Sequence, residues 1–176
     1  EAATCEDFVK SIEDGAGLDL GKFRLWYSQA GTPRVDVSLT HEGDVATLRL
    51  VQTVPQTPGQ SDKQPQPVPL RLALFDRETG QHGGERLLVL DDASHVETFA
   101  GFSTPPVLSI NRGFTAPVAI VADSAPEDLV FLAAHDDDPF ARYEALQSLV
   151  VRHLVAAVSS KLDHAARAAG RAAIGQ

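Results

Sequence analysis

The apolar residues of this chain change their spacing twice. Up to about Ser28 they recur at helical intervals, from Arg34 they alternate with polar residues, and from Ser124 the helical interval returns. A period of two places every second side chain on one face of an extended strand, whereas a period near 3.6 gathers them on one side of a helix. The two switches confine the chain to a β core with helices before and after it. With 176 residues, 43% of them hydrophobic, it has the material for one buried core with appended elements.

Within the β region, Val35, Val37 and Leu39 alternate with Asp36 and Ser38. Leu48 and Leu50 do so in a second strand, about 44–54, after the turn His41-Glu42-Gly43-Asp44. Leu70, Leu72 and Leu74 mark a third strand, followed by the turn Arg77-Glu78-Thr79-Gly80. Shorter extended stretches follow at about 85–90, 95–100, 107–110 and 117–122. Seven short strands separated by turn signals predict an antiparallel β-sandwich of the immunoglobulin-like kind, mainly β in class, with helical flanks. The prolines of 55–69 deny this stretch the ladder donors of a central strand, so it is a long surface loop, serving for docking or simply mobile.

On the helical side, Thr4 caps a first helix with Glu6 and Asp7 in its opening turn and Phe8, Val9 and Ile12 as its apolar stripe; Gly15 and Gly17 stop it. Asp19 is expected to cap a second helix over 20–28, with Phe23, Trp26 and Tyr27 facing one side. Ser124 is the expected cap of a third, with Pro126 in its first turn. Asp138 before Pro139 opens a long fourth helix to about Ala169, apolar over much of its circumference, which normally means neighbours on more than one side.

Composition narrows the functional classes. A formal charge of −9 and a pI near 5.0 oppose nucleic acid, which needs clustered cations. Lys161, Arg167 and Arg171 read as cations near a helix C-terminus. No apolar run is long enough to span a bilayer and no leader precedes the first helix, so no membrane partner is expected. The single Cys5 rules out an internal disulfide, reads as a structural thiol and suggests a reducing, cytoplasmic setting. Methionine is absent even at position 1, which fits a piece cut from a longer chain.

Catalytic patterns are missing. A zinc-peptidase helix sets two histidines at i and i+4, yet no two of His41, His82, His95, His135, His153 and His164 are so spaced. His41-Glu42 begins such a string, but Val45 stands where the second histidine belongs. His153 and His164 share a helix face at roughly 16 Å, too far apart for one ion. Asp136, Asp137 and Asp138 suit helix capping better than calcium, because they lack the spread of oxygens and the glycine turn a calcium loop uses. Neither a G-x-S-x-G elbow nor a glycine-rich phosphate loop occurs.

Four stretches carry a resemblance. Thr4-Cys5-Glu6-Asp7-Phe8-Val9 with Phe23-Arg24-Leu25-Trp26-Tyr27-Ser28-Gln29-Ala30-Gly31-Thr32-Pro33 resembles the end of the thermolysin-like catalytic domain of the bacterial aminopeptidase N family. Pro55 to Gln60 with Lys63-Gln64-Pro65 is similar to a loop of that family's immunoglobulin-like domain, and Asn111-Arg112-Gly113-Phe114-Thr115-Ala116-Pro117-Val118 to the approach to its last strand. His135-Asp136-Asp137-Asp138-Pro139-Phe140-Ala141-Arg142-Tyr143-Glu144-Ala145 resembles the opening of its C-terminal helical domain.

The resemblance implies a zinc metallopeptidase that removes N-terminal amino acids from peptides, of which this chain holds neither the HExxH helix nor the GAMEN strand. It implies that 1–33 ends the catalytic domain, 34–122 is the sandwich and 123–176 begins the helical domain. No catalytic, metal or cofactor residue carries over; zinc and the peptide substrate belong to the parent enzyme. The remaining domains of the parent are the expected partners, with Trp26, Tyr27, Phe140, Tyr143 and Leu146 as candidate docking residues. An exposed C-terminal helix predicts self-association. The alternatives are a free-standing sandwich that binds a protein or other ligand, and a self-contained hydrolase.

Overall fold

The computed structural model describes the backbone of residues 2–174 and the side-chain surroundings of residues 2–159. His164, Lys161, Arg167 and Arg171 therefore have side chains outside the described residues. The chain divides into two compact units, Glu1–Asp123 and Ser124–Gln176.

The first unit opens with α1 (Cys5–Ala16). Thr4 is extended and its hydroxyl accepts the Asp7 amide at 3.2 Å, while the Asp7 carboxylate accepts the Thr4 amide at 2.8 Å, so two orphan donors are satisfied reciprocally. The stop falls at Gly17, in the left-handed region at φ 66°, rather than at Gly15. The expected helix over 20–28 is instead a 3₁₀ turn, Lys22–Arg24, followed by one α turn, α2 (Leu25–Ser28). Asp19 reaches only two residues on, to the Gly21 amide at 2.8 Å, and so makes a local turn instead of a cap.

Seven strands follow: β1 (Arg34–Glu42), β2 (Val45–Thr53), β3 (Val68–Phe75), β4 (Arg86–Leu90), β5 (Ser94–Ala100), β6 (Val107–Ile110) and β7 (Ala119–Ala122). They form two sheets, ordered β5-β2-β1-β7 and β4-β3-β6. Alternation sets the facing sides: Val35 and Val37, Ala46, Leu48 and Leu50, and Val68, Leu70 and Leu72 are all buried in one cluster with Leu90 and Phe99. Each such valine or leucine side chain stabilises the fold by about 1.5–3 kcal/mol through removal from water.

One pair departs from the antiparallel expectation. β7 runs parallel to β1, from Arg34 against Ala119 to Val37 against Ala122. The chain reaches β7 from β6, which lies in the other sheet, so no hairpin dictates an antiparallel return. β3 also starts earlier than expected and carries Pro69 in the middle strand of its sheet. This is tolerated because β6 pairs only with Leu72–Phe75, so no ladder bond to that strand is asked of Pro69.

In the second unit, α3 (Pro126–His135) is preceded by extended Ala125 at the cap position, with Pro126 at N1 and no side-chain cap. Ser124 stands one residue too early; its carbonyl instead accepts Arg152 at 2.7 Å. Asp138 does cap α4 (Pro139–Ile174), accepting the Ala141 amide at 2.8 Å, and its own amide is held by Asp136 at 2.9 Å. Leu129 and Leu132 of α3 and Ala141 and Ala145 of α4 are buried. Among the described residues no helix is long and apolar enough to cross a membrane.

Candidate interaction site

The most elaborate polar constellation joins the segment 22–31 to the loop 55–67. Trp26 is half-buried against the sandwich core, and its indole Nε1 donates to the Pro67 carbonyl at 2.9 Å. Gln29 makes a two-way pair with Gln64: its Nε2 donates to the Gln64 carbonyl at 2.9 Å and its Oε1 accepts the Gln64 amide at 2.7 Å. Gln60 accepts the Ala30 amide at 2.8 Å and donates to the Ser28 carbonyl at 2.9 Å. The Lys63 ammonium donates to the Ala30 carbonyl at 2.8 Å, to Thr57 Oγ1 at 3.0 Å and to Gln60 Oε1 at 2.6 Å, tying both sides together. Gln66 adds a bond to the Leu25 carbonyl at 3.0 Å. Backbone groups at the end of α2 thus find side-chain partners across the seam.

Close approach here depends on glycine. Gly31 lies at φ 96°, and a Cβ on it would sit 3.4 Å from Pro55 and from Thr57. Beneath the loop, Gln52 stands at an inward position of β2 and is buried. It takes the Gln66 amide at 2.7 Å and gives to the Gln66 carbonyl at 2.9 Å.

A second tie holds α1. The Arg24 guanidinium forks onto two carboxylates: it reaches Glu6 at 2.7 and 2.9 Å and Glu13 at 2.7 and 2.8 Å. The Arg24 bonds, followed by the Leu20 amide at 2.8 Å, lower the Glu13 carboxyl from its ordinary 4.5 to about 2. Arg24 likewise holds Glu6 below its usual range and is itself raised, chiefly by Glu13. Lys22 adds bonds to the Asp91 carbonyl at 2.9 Å and to Asp92 at 3.0 Å.

The residues singled out from sequence divide into two kinds. Trp26 turns towards its own core, whereas Tyr27 is exposed and meets Phe23 edge-on at 5.8 Å. Those three therefore do not share one side. In the second unit Phe140 is half-buried, while Tyr143 and Leu146 are exposed on α4 together with Val150, Val151, Leu154, Val155 and Val158. Sequence reading gives 55–69 as a loop for docking or simply mobile, but it does not foresee the bonds made by Gln52, Gln60, Lys63, Gln64, Gln66 and Arg24. Gln52 had one signal, a polar residue at an apolar-parity position; the loop glutamines had none, since their partners lie some 35 positions away.

Among the described residues no three His, Cys, Asp or Glu side chains lie close enough to hold a metal ion. His41 Nε2 is bonded to the Phe102 carbonyl at 2.9 Å and His95 to Glu97 at 3.2 Å. The zinc of the implied parent does not fit residues described here.

Residues 31–123 match a family model described as a domain of unknown function, DUF3458, with an Ig-like fold. Residues 126–176 match its companion, DUF3458_C, described as ARM repeats. The chain is similar to aminopeptidase N of Escherichia coli, 36% identical over 162 residues, covering 87% of this chain and 19% of the relative. Aminopeptidase N of Haemophilus influenzae is 37% identical over 163 residues, covering 88% and 19%. Among solved structures, Legionella pneumophila aminopeptidase A, described in complex with aspartic acid, superposes with a TM-score of 0.74 at 28% identity over 85% of this chain and 17% of its own. The chain spans about a fifth of the length of the curated relatives it matches.

Proposed function

This chain belongs to the family of Ig-like domains described as DUF3458, and from that membership we propose that it is a non-catalytic spacer within a zinc-dependent aminopeptidase of the aminopeptidase N type. In this reading the sandwich braces a helical domain against a catalytic domain that removes N-terminal amino acids from peptides. The observation that carries it is the 36–37% identity to proteins named aminopeptidase N over 87–88% of this chain and only 19% of theirs. Zinc and the peptide then belong to other parts of the longer protein, and the lone thiol suits a cytoplasmic setting.

The proposed partners are those neighbouring parts. Tyr27 on the first unit and Tyr143 and Leu146 on the second are large and exposed, as interface anchors are before assembly. Phe140, half-buried, lies three residues before Tyr143, and Trp26, half-buried against the sandwich core, precedes Tyr27. A longer protein carrying this segment should hydrolyse an aminoacyl anilide and retain zinc through gel filtration, while the 176-residue chain does neither. Turnover by the 176-residue chain alone would overturn the spacer reading; absence of turnover in the longer protein would remove the enzyme.

A further inference from the structure

The seam between 22–31 and 55–67 is built as a peptide site is built. One aromatic anchor, Trp26, is inserted against the core with its polar tip paired to Pro67. Around it, loop side chains read main-chain groups: Gln66 takes the Leu25 carbonyl, Gln60 the Ser28 carbonyl and Ala30 amide, and Lys63 the Ala30 carbonyl. A single further side chain, Gln29, is recognised from both ends by the Gln64 backbone. Recognition of main-chain groups tolerates many sequences, so selectivity rests on Trp26, within the single turn of α2, and Gln29, the extended residue that ends it.

The groove is also not fully used by its present occupant. Gln66 Oε1 is buried and meets no donor among the described residues. Buried acceptors are nearly always paired, so the groove offers one bond that 25–30 does not take.

We propose that the groove closed by the 55–67 loop is a peptide-recognition site, filled in the resting chain by residues 25–30, that accepts in trans a peptide of one helical turn carrying Trp in the turn and, three positions on, Gln at the extended residue that ends it. Tethering gives the resident segment a high effective concentration, so an outside peptide enters only when the segment's anchors are weakened or displaced.

The test titrates a fluorescein-labelled peptide of residues 20–33 against the 176-residue chain carrying Trp26→Ala and Gln29→Ala. Saturable anisotropy is expected there. Binding should be at least about tenfold weaker to the unsubstituted chain, and about thirtyfold weaker than to the vacated chain when Lys63→Ala and Gln66→Ala are added to it, two lost bonds at about 1 kcal/mol each. Equal binding to all three chains, or none to a vacated chain whose sheets persist by circular dichroism, overturns the proposal. Should the vacated chain not fold, hydrogen exchange on the unsubstituted chain decides. Ala30 and Gln64 amides opening while Leu48 and Leu50 stay protected supports an exchangeable segment; opening only together with the sheets overturns it.

Discussion

Gln52 and Gln66 are joined by a reciprocal pair of hydrogen bonds, the Gln52 carboxamide accepting the Gln66 amide at 2.7 Å and donating to the Gln66 carbonyl at 2.9 Å. A side chain of β2 thereby imitates the ladder partner that the loop entering β3 lacks at this point. Both residues are buried, so water cannot replace either bond.

Gln52→Leu should therefore destabilise the chain by about 2–4 kcal/mol, since two buried backbone groups lose their partners at about 1–3 kcal/mol each. Urea denaturation should show a lower midpoint with an unchanged slope. A loss below 0.5 kcal/mol, as for a surface substitution, would show that the loop re-pairs elsewhere.

Core and surface leucines of the same strand family should part company. Leu50, fully buried between the sheets, should cost about 2–5 kcal/mol on truncation to Ala. Leu87, 62% exposed on β4, should cost no more than about 0.5 kcal/mol by the same measurement.

The Glu13–Arg24 tie sets a pH dependence whose sign is fixed. The Glu13 pKa is depressed on folding, from 4.5 to about 2, so its stabilisation is complete above about pH 5 and is lost as pH falls from 4.5 towards 2. The gap in unfolding midpoint between the parent chain and Glu13→Gln should be constant from pH 6 to 8 and close progressively below pH 4.5. A gap that widens on acidification would contradict the assigned ion pair.

Gly31→Ala should lower the thermal midpoint, because the left-handed φ of 96° strains any L side chain and the new methyl presses on Pro55 and Thr57. Gly43→Ala makes the comparison: it is also left-handed, but a Cβ there meets nothing within 4 Å. Of the two, Gly31→Ala should cost more, and equal losses would leave only the backbone term.

The exposed aliphatic face of α4 should drive concentration-dependent self-association, read by sedimentation velocity. Val151→Lys with Leu154→Lys, both exposed, should restore a concentration-independent profile without lowering stability. Association that persists unchanged in the doubly substituted chain would place the sticky surface elsewhere.

Much of this architecture could be read from local pattern. The first two strands lie where period-two alternation set them, because burial of every second residue is a property of the strand itself, and the third keeps its alternating leucines while starting two residues earlier. Thr4 and Asp138 acted as caps because each sits one residue before its helix with an amide in reach. Where sequence reading failed, the deciding partner was distant. Asp19 looked like a cap, yet 22–31 takes its conformation from Glu6, Glu13 and the 57–67 loop. The parallel β1–β7 pair likewise depends on which sheet the preceding strand occupies. The site was hidden for the same reason: a glutamine in a proline-rich loop looks solvated until the backbone it serves is known.

The pairing of β1 with β7 also decides how the sandwich answers tension. The chain enters β1 at Arg34 and leaves β7 at Ala122, so these two strands are the ends by which neighbours would pull on it. Because they run the same way side by side, opposed pulls act along the ladder rather than across it. The bonds between 34–37 and 119–122 are then loaded in shear, all at once, instead of parting one by one as a zipper does. A segment joined at both ends to moving bodies would transmit their motion before yielding.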